Sequence, residues 1–196
     1  MSAEKCSIVQ VGGFRPSGDP FASHFGLRPL AAAGEPWPSA NGKPLLFVCQ
    51  LNLTAAPAVP PLLKDIALIT FFVDPELGEL AKENGVDWSL RAYPSLNGLT
   101  PLSPPDGAPK LSRGFECRWE LADHDAEGTK IGGAPSEIQS EPWWDYREHA
   151  GAPAFCLQID SEEKVKLAWG DAGTVYLARG TADGCRDQWF LDWQCY

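Results

Sequence analysis

The chain has 196 residues and a formal charge of −10, with 19 glycines, 18 prolines, 8 Trp, 9 Phe and 4 Tyr. That many rings, each burying about 150–250 Å², exclude a disordered tail, a collagen-like fibre and a coiled coil, and the length suits one domain. The acidic balance opposes sequence-independent nucleic-acid binding, which draws its affinity from neutralised phosphates.

In chain order, the N-terminal residues Met1 to Cys6 show no apolar core preceded by positive charge, so no secretory signal is expected there. Gly12-Gly13-Phe14-Arg15-Pro16 then leads through Gly42-Lys43-Pro44 to the apolar run Leu45 to Cys49, which closes on Gln50-Leu51-Asn52. A second run, Leu68 to Phe72, follows. Short apolar runs bounded by turn residues predict strands buried on both faces, and Pro44, lacking the N–H of a ladder, belongs at a strand entry. Asp74, Pro75, Glu76 and Glu79, with Leu77, Leu80 and Ala81 at helical spacing and Asn84-Gly85 as a stop, predict a helix. Trp88 to Tyr93 predicts another strand, and the proline-rich segment 95–109 a loop. Phe115, Cys117, Trp119 and Leu121 alternate with charged residues and predict a strand with one wet face.

Beyond that loop the first pattern returns. Gly132-Gly133-Ala134-Pro135 leads to Gly151-Ala152-Pro153 and the run Ala154 to Leu157, which closes on Gln158-Ile159-Asp160; Thr174 to Leu177 supplies a second run. A short helix is expected from Glu141 to His149. The expected architecture is a single domain over 1–196, mainly β (α+β) and internally duplicated. Two small antiparallel-sheet subdomains, about 8–94 and 110–196, would pack together with a few short helices, joined by loop 95–109.

The ordered set Gly12-Gly13, Trp37-Pro38, Pro44-Leu45, Gln50-Leu51-Asn52, Phe71-Phe72, Lys130-Ile131-Gly132-Gly133-x-Pro135, Gln139, Leu157-Gln158-Ile159-Asp160-Ser161 and Trp169-Gly170-Asp171-x-Gly173 resembles the YwqG-like family of bacterial proteins, a domain of unknown function. The resemblance implies a mainly β, internally duplicated fold and brings no activity with it. The sequence departs from the pattern in its first half, where a long loop follows Gly12-Gly13.

For chemistry, the six cysteines contain no Cys-x-x-Cys pair and sit beside no histidine, so reduced thiols in a cytoplasmic protein are expected, with no metal and no cofactor. No stretch approaches the roughly 18 apolar residues of a membrane span. No Gly-x-Ser-x-Gly elbow and no phosphate-cradling glycine spacing is present, so no catalytic residue is assigned. Asp171 belongs to a tight turn beside which Trp169 covers the core or, paired with Asp160, supplies acid–base groups or oxygen ligands for a cation. Trp169 and Asp171 are also candidates for a groove between the repeats. Gln50 and Gln158 either bond neighbouring backbone or, with Asn52 and Asp160, line a polar groove between the repeats. Trp143 and Trp144 pack under a loop or supply an exposed aromatic anchor, since neighbours on a helix point about 100° apart. The expected function is a non-catalytic acidic module for a basic protein, of immunity or antitoxin type. The alternative is a small-molecule-binding protein or hydrolase using the groove, with Gln50, Gln158, Asp160 and Asp171 as its polar lining.

Overall fold

The computed structural model describes residues 5–76 and 80–196. Its strands are β1 (Lys5–Val11), β2 (His24–Phe25), β3 (Leu30–Ala31), β4 (Ser39–Ala40), β5 (Lys43–Pro44), β6 (Leu46–Asn52), β7 (Leu68–Val73), β8 (Trp88–Tyr93), β9 (Thr100–Pro101), β10 (Phe115–Asp123), β11 (Lys130–Ile131), β12 (Pro153–Asp160), β13 (Thr174–Gly180) and β14 (Trp189–Gln194). Ten of them form one sheet in the order β14-β13-β12-β11-β1-β10-β2-β6-β7-β8, while β3–β9 and β4–β5 are two-stranded ribbons.

This corrects the expectation of two sheets packed together. β1 and β10 run antiparallel from Lys5 opposite Asp123 to Val11 opposite Cys117, and their backbone ladder joins the flanks into one sheet. The outer edge of β1 pairs with β11 and that of β10 with β2. Each long strand therefore stands beside a short strand from the other end of the chain.

The runs Leu68 to Val73 and Thr174 to Gly180 are buried at every position because both faces of the sheet are covered. Ile69, Phe71, Val73, Val175 and Leu177 face the main core with Trp88, Trp169 and Trp189. Leu68 and Phe72 on one flank, and Tyr176 and Ala178 on the other, face smaller clusters built by the loops. A fully buried indole of about 200 Å² gives roughly 5 kcal/mol of gross hydrophobic stabilisation, which explains how a chain modest in Leu and Ile holds this sheet. In β10, Cys117 is buried and Phe115 and Trp119 pack against the core, but Leu121 is exposed because the strand runs past it.

The predicted helix at 74–84 is not found where it is described. Asp74 accepts the Glu76 N–H in a local turn, and residues Leu77, Gly78 and Glu79 lie outside the described residues. From Lys82 to Asn84 the chain instead bridges the two edges of the sheet. Leu191 N–H donates to the Lys82 carbonyl at 2.8 Å and Asn84 N–H to that of Trp189 at 3.2 Å. The Asn84 amide grips β8, accepting from Leu90 N–H at 2.9 Å and donating to its carbonyl at 2.8 Å. The sheet is thereby nearly closed, and two edges open to pairing with other chains are occupied. Asn84→Ala removes two hydrogen bonds and is expected to cost about 2 kcal/mol. Native-state hydrogen exchange should then quicken at Leu90 and Leu191 before the rest of the sheet; uniform quickening would contradict the closure.

Among the described residues helices are few: 3₁₀ turns at Leu53–Ala55, Pro61–Leu63 and Glu163–Val165, and one α-helix, α1 (Trp143–Tyr146), in place of the expected 141–149. Among the described residues no helix is long and apolar enough to cross a membrane. All six cysteines are free thiols, four of them buried.

Candidate functional site

Strand register sets a polar row on the outer face of each flank. On one side His24, Gln50, Thr70 and Arg91 stand opposite one another across β2, β6, β7 and β8, with Glu116 beside His24. On the other, Lys130, Gln158, Tyr176 and Asp192 do the same across β11 to β14.

The two glutamines are fully buried and tie loops to the sheet. Gln50 accepts the Leu30 N–H at 2.8 Å and donates to the Pro20 and Ala22 carbonyls at 2.9 and 3.1 Å. Gln158 accepts the Ser136 N–H at 2.9 Å and donates to the Gly128 carbonyl at 3.0 Å and to Asp160 Oδ1 at 2.9 Å. Asn52 donates to the Phe21 carbonyl and caps the following 3₁₀ turn through Thr54. The groove expected between Gln50, Asn52, Gln158 and Asp160 is not formed, because β11, β1, β10 and β2 separate β6 from β12.

Trp169 lies in the main core, 1% exposed, with its ring 6.3 Å from that of Phe71. Asp171 is exposed on a turn closed by Gly173 N–H to the Trp169 carbonyl at 2.8 Å. Gly173 is required there by close approach, since a Cβ would lie 2.1 Å from the Gln194 carbonyl oxygen. The pair of Asp160 with Asp171 is not assembled into a site; Asp160 is held by Gln158 and by Thr174 at 3.0 Å.

The exposed aromatic anchor is likewise corrected. Trp143 and Trp144 are 5% and 7% exposed. Their rings meet edge to face at 5.7 Å and join the cluster of Tyr176, Ala178 and Phe190, and Trp143 Nε1 donates to the Leu191 carbonyl. A single helical turn laid on the sheet and covered by its own loops buries both neighbours.

Asp160 does open onto a pocket, one the sequence reading did not anticipate. It measures about 220 Å³ and is lined by Asp125, Glu127, Glu137 and Asp160 with Ser136, Ile138, Ala172, Thr174 and Tyr196. Lys130 lies beneath it, fully buried, its ammonium donating to the Ala126 carbonyl and to Ser136 Oγ. Burial pushes the Lys130 pKa down, against the pull of Cys6, Asp160, Asp125 and Glu127. Burial raises that of Asp160, although Thr174, Gln158, the Gly128 backbone and Lys130 all favour its charged form. Tyr176 is raised by burial and by Asp160, and its hydroxyl donates to the Ser136 carbonyl at 2.6 Å.

Ser136 Oγ lies 3.2 Å from Lys130 Nζ, which invites comparison with serine–lysine acyl-transfer sites. The amides an oxyanion would need are committed elsewhere: Ser136 N–H goes to Gln158, and those of Ile138, Gln139 and Ser140 converge on Gln194 Oε1. With those amides bonded, Asp125, Glu127, Glu137 and Asp160 are the side-chain carboxyl groups lining the pocket. No group of three or more His, Cys, Asp or Glu among the described residues is placed to hold a metal ion.

Residues 106–195 match a domain of unknown function, DUF1963. The matched segment contains β10 through β14 and every residue lining the acidic pocket except Tyr196. No curated protein matches the chain.

Proposed function

We propose that the chain is a cytoplasmic, YwqG-like protein of duplicated architecture that acts as a non-catalytic acidic module for a basic protein partner, as an immunity or antitoxin-like inhibitor does. The observation that carries this reading is the acidic pocket. Four carboxylates surround it, no Lys or Arg lines it among the described residues, and Tyr196, 80% exposed, stands at its edge. A lysine or arginine side chain entering there meets opposite charge and an aromatic face together. The net charge of −10 adds a long-range field that speeds capture of a basic partner and weakens with salt.

Duplication is supported by matched bonds at matched positions. Gly26 N–H donates to the Val48 carbonyl as Gly132 N–H does to that of Cys156, and Cys117 N–H donates to the Ser23 carbonyl as Val9 N–H does to that of Thr129. Asn52 N–H donates to Ser23 Oγ as Asp160 N–H does to Thr129 Oγ1. The ladder shifts between Phe47 and Cys49 and again between Phe155 and Leu157.

The test is a pull-down at low and moderate salt, followed by titration with the recovered partner. Asp125→Lys/Glu127→Lys is expected to weaken binding 10- to 100-fold, while Asp106→Lys/Asp183→Lys, an equal change in net charge placed away from the pocket, leaves it within about threefold. Failure to recover a stoichiometric basic partner, or equal losses in both variants, would overturn the reading.

A further inference from the structure

A second cleft, of the opposite electrical character, lies on the other flank between the outer face of β2–β6 and the segment Pro104–Leu111, with a volume of about 660 Å³. Its floor is aromatic. Phe47 and Trp37 each pack against Phe72, with ring centroids 5.2 Å apart, and the Trp37 indole N–H is already bonded to the Leu45 carbonyl at 2.8 Å. Behind Phe47 sits the buried His24 ring, edge-on at 5.6 Å.

The wall facing this floor is built from Pro104, Pro105 and Pro109. Three missing N–H donors and three fixed φ angles keep the segment from adding a strand to the sheet. Between Ser103 and Lys110 the backbone–backbone bond described is internal, Ala108 N–H to the Pro105 carbonyl. The wall therefore stands off the floor as a stiff rim, and the cleft is preformed.

Arg28 and Lys110 line the same cleft, both exposed, and neither joins an ion pair among the described residues. Asp106 is the one carboxylate in the lining. In a chain carrying −10, two cations against one carboxylate beside an aromatic floor leave the lining with a formal charge of +1, a local reversal of sign. The volume falls within the roughly 300–1,000 Å³ typical of small-molecule sites, and such sites combine an apolar lining with a few polar groups that fix orientation.

We propose that this cleft binds a small amphipathic anion, an aromatic or acyl carboxylate, whose apolar body lies on Trp37 and Phe47 and whose charged end is held by Arg28 and Lys110. The site is separate from the acidic pocket, and neither reading depends on the other.

The experiment is a fluorescence titration of the full chain with 1-anilinonaphthalene-8-sulfonate, followed by displacement with 4-phenylbutyrate and with the uncharged 4-phenylbutanol. One saturable site per chain is expected, with the carboxylate displacing the probe at least tenfold better than the alcohol. Arg28→Glu/Lys110→Glu should weaken probe binding at least tenfold with an unchanged circular dichroism spectrum, whereas Lys64→Glu/Lys166→Glu, with the same change in charge, should leave it within twofold. Unsaturable binding, equal displacement by acid and alcohol, or equal weakening in the two charge variants would each overturn the assignment. Should Arg28→Glu/Lys110→Glu alter the fold, Phe47→Leu offers a second reading: probe binding weakened fivefold or more supports the site, and unchanged binding contradicts it.

Discussion

Replacing Gln50 or Gln158 by alanine is expected to destabilise the fold by about 4 kcal/mol in each case. Truncating Gln50 strands the Leu30 N–H and the Pro20 and Ala22 carbonyls under the loops they anchor. Truncating Gln158 strands the Ser136 N–H and the Gly128 carbonyl and takes one donor from Asp160. A buried polar group left without a partner costs about 1–3 kcal/mol, so the two backbone groups freed by Gln158, and the Leu30 N–H with the two carbonyls freed by Gln50, outweigh any gain from removing a polar side chain. Urea unfolding checks the prediction: the midpoint should fall with the slope unchanged. The two variants should separate in function. Gln158 holds Ser136 and Gly128, which flank the acidic pocket, so Gln158→Ala should also weaken capture of a basic partner, whereas Gln50→Ala should not. A loss below about 1 kcal/mol in either variant would contradict the anchoring role.

These glutamines also show how much of the molecule can be read from its residues. A Gln directly after an apolar run is conspicuous, and its need for three partners predicts the backbone anchoring that is found. Apolar runs of four to six residues likewise identify β6, β7, β12 and β13, because burial on both faces, complete in β7 and β13, nearly so in β6 and confined to residues 156–159 in β12, favours such sequences. The partner of a strand has no comparable local signature. β2 and β11 are two residues long, too short to show alternation, and their pairing with β10 and β1 is a long-range choice. That choice is what replaces two sheets with one.

The signals that misled have physical reasons as well. Asp74-Pro75 is a good helix start, but an Asp that caps a helix also closes a lone turn, and closing the sheet between β8 and β14 gives Lys82 to Asn84 better backbone partners. Within the candidate site, Asp160 was accessible to sequence reasoning as a polar strand end. Lys130 was not, since a lysine in a short β segment reads as solvent-facing. Its burial follows from the loop 124–136 folding back over it, where the Ala126 carbonyl and Ser136 Oγ accept its protons. Glu116 was hidden in the same way: it sits among the charged residues of β10 assigned to the wet face, yet Ser17 and Gly18 enclose its carboxylate.

The buried row of β2 predicts a second large effect, a loss of about 3 kcal/mol of stability between pH 6.5 and pH 4. His24 is 3% exposed. Desolvation lowers its pKa from 6.5 to about 4, against the raising influence of the Arg28 backbone and Glu116. Between those two values the unfolded chain binds a proton that the folded chain refuses, so stability must fall as pH falls. A displacement of that size corresponds to about 3 kcal/mol, with full stability retained above pH 6.5. Glu116, whose pKa is lowered because the Ser17 and Gly18 donors outweigh its burial, adds a loss of the same sign at lower pH. Asp160 and Asp192, both raised by burial, act in the opposite direction as they take up protons in the folded state. The contribution of His24 is isolated by comparing the chain with His24→Asn, which cannot titrate. Urea midpoints measured from pH 7.5 to 4 should fall steeply in the parent and much less in the variant. Parallel slopes would contradict the lowered pKa of the buried His24 ring that packs behind Phe47.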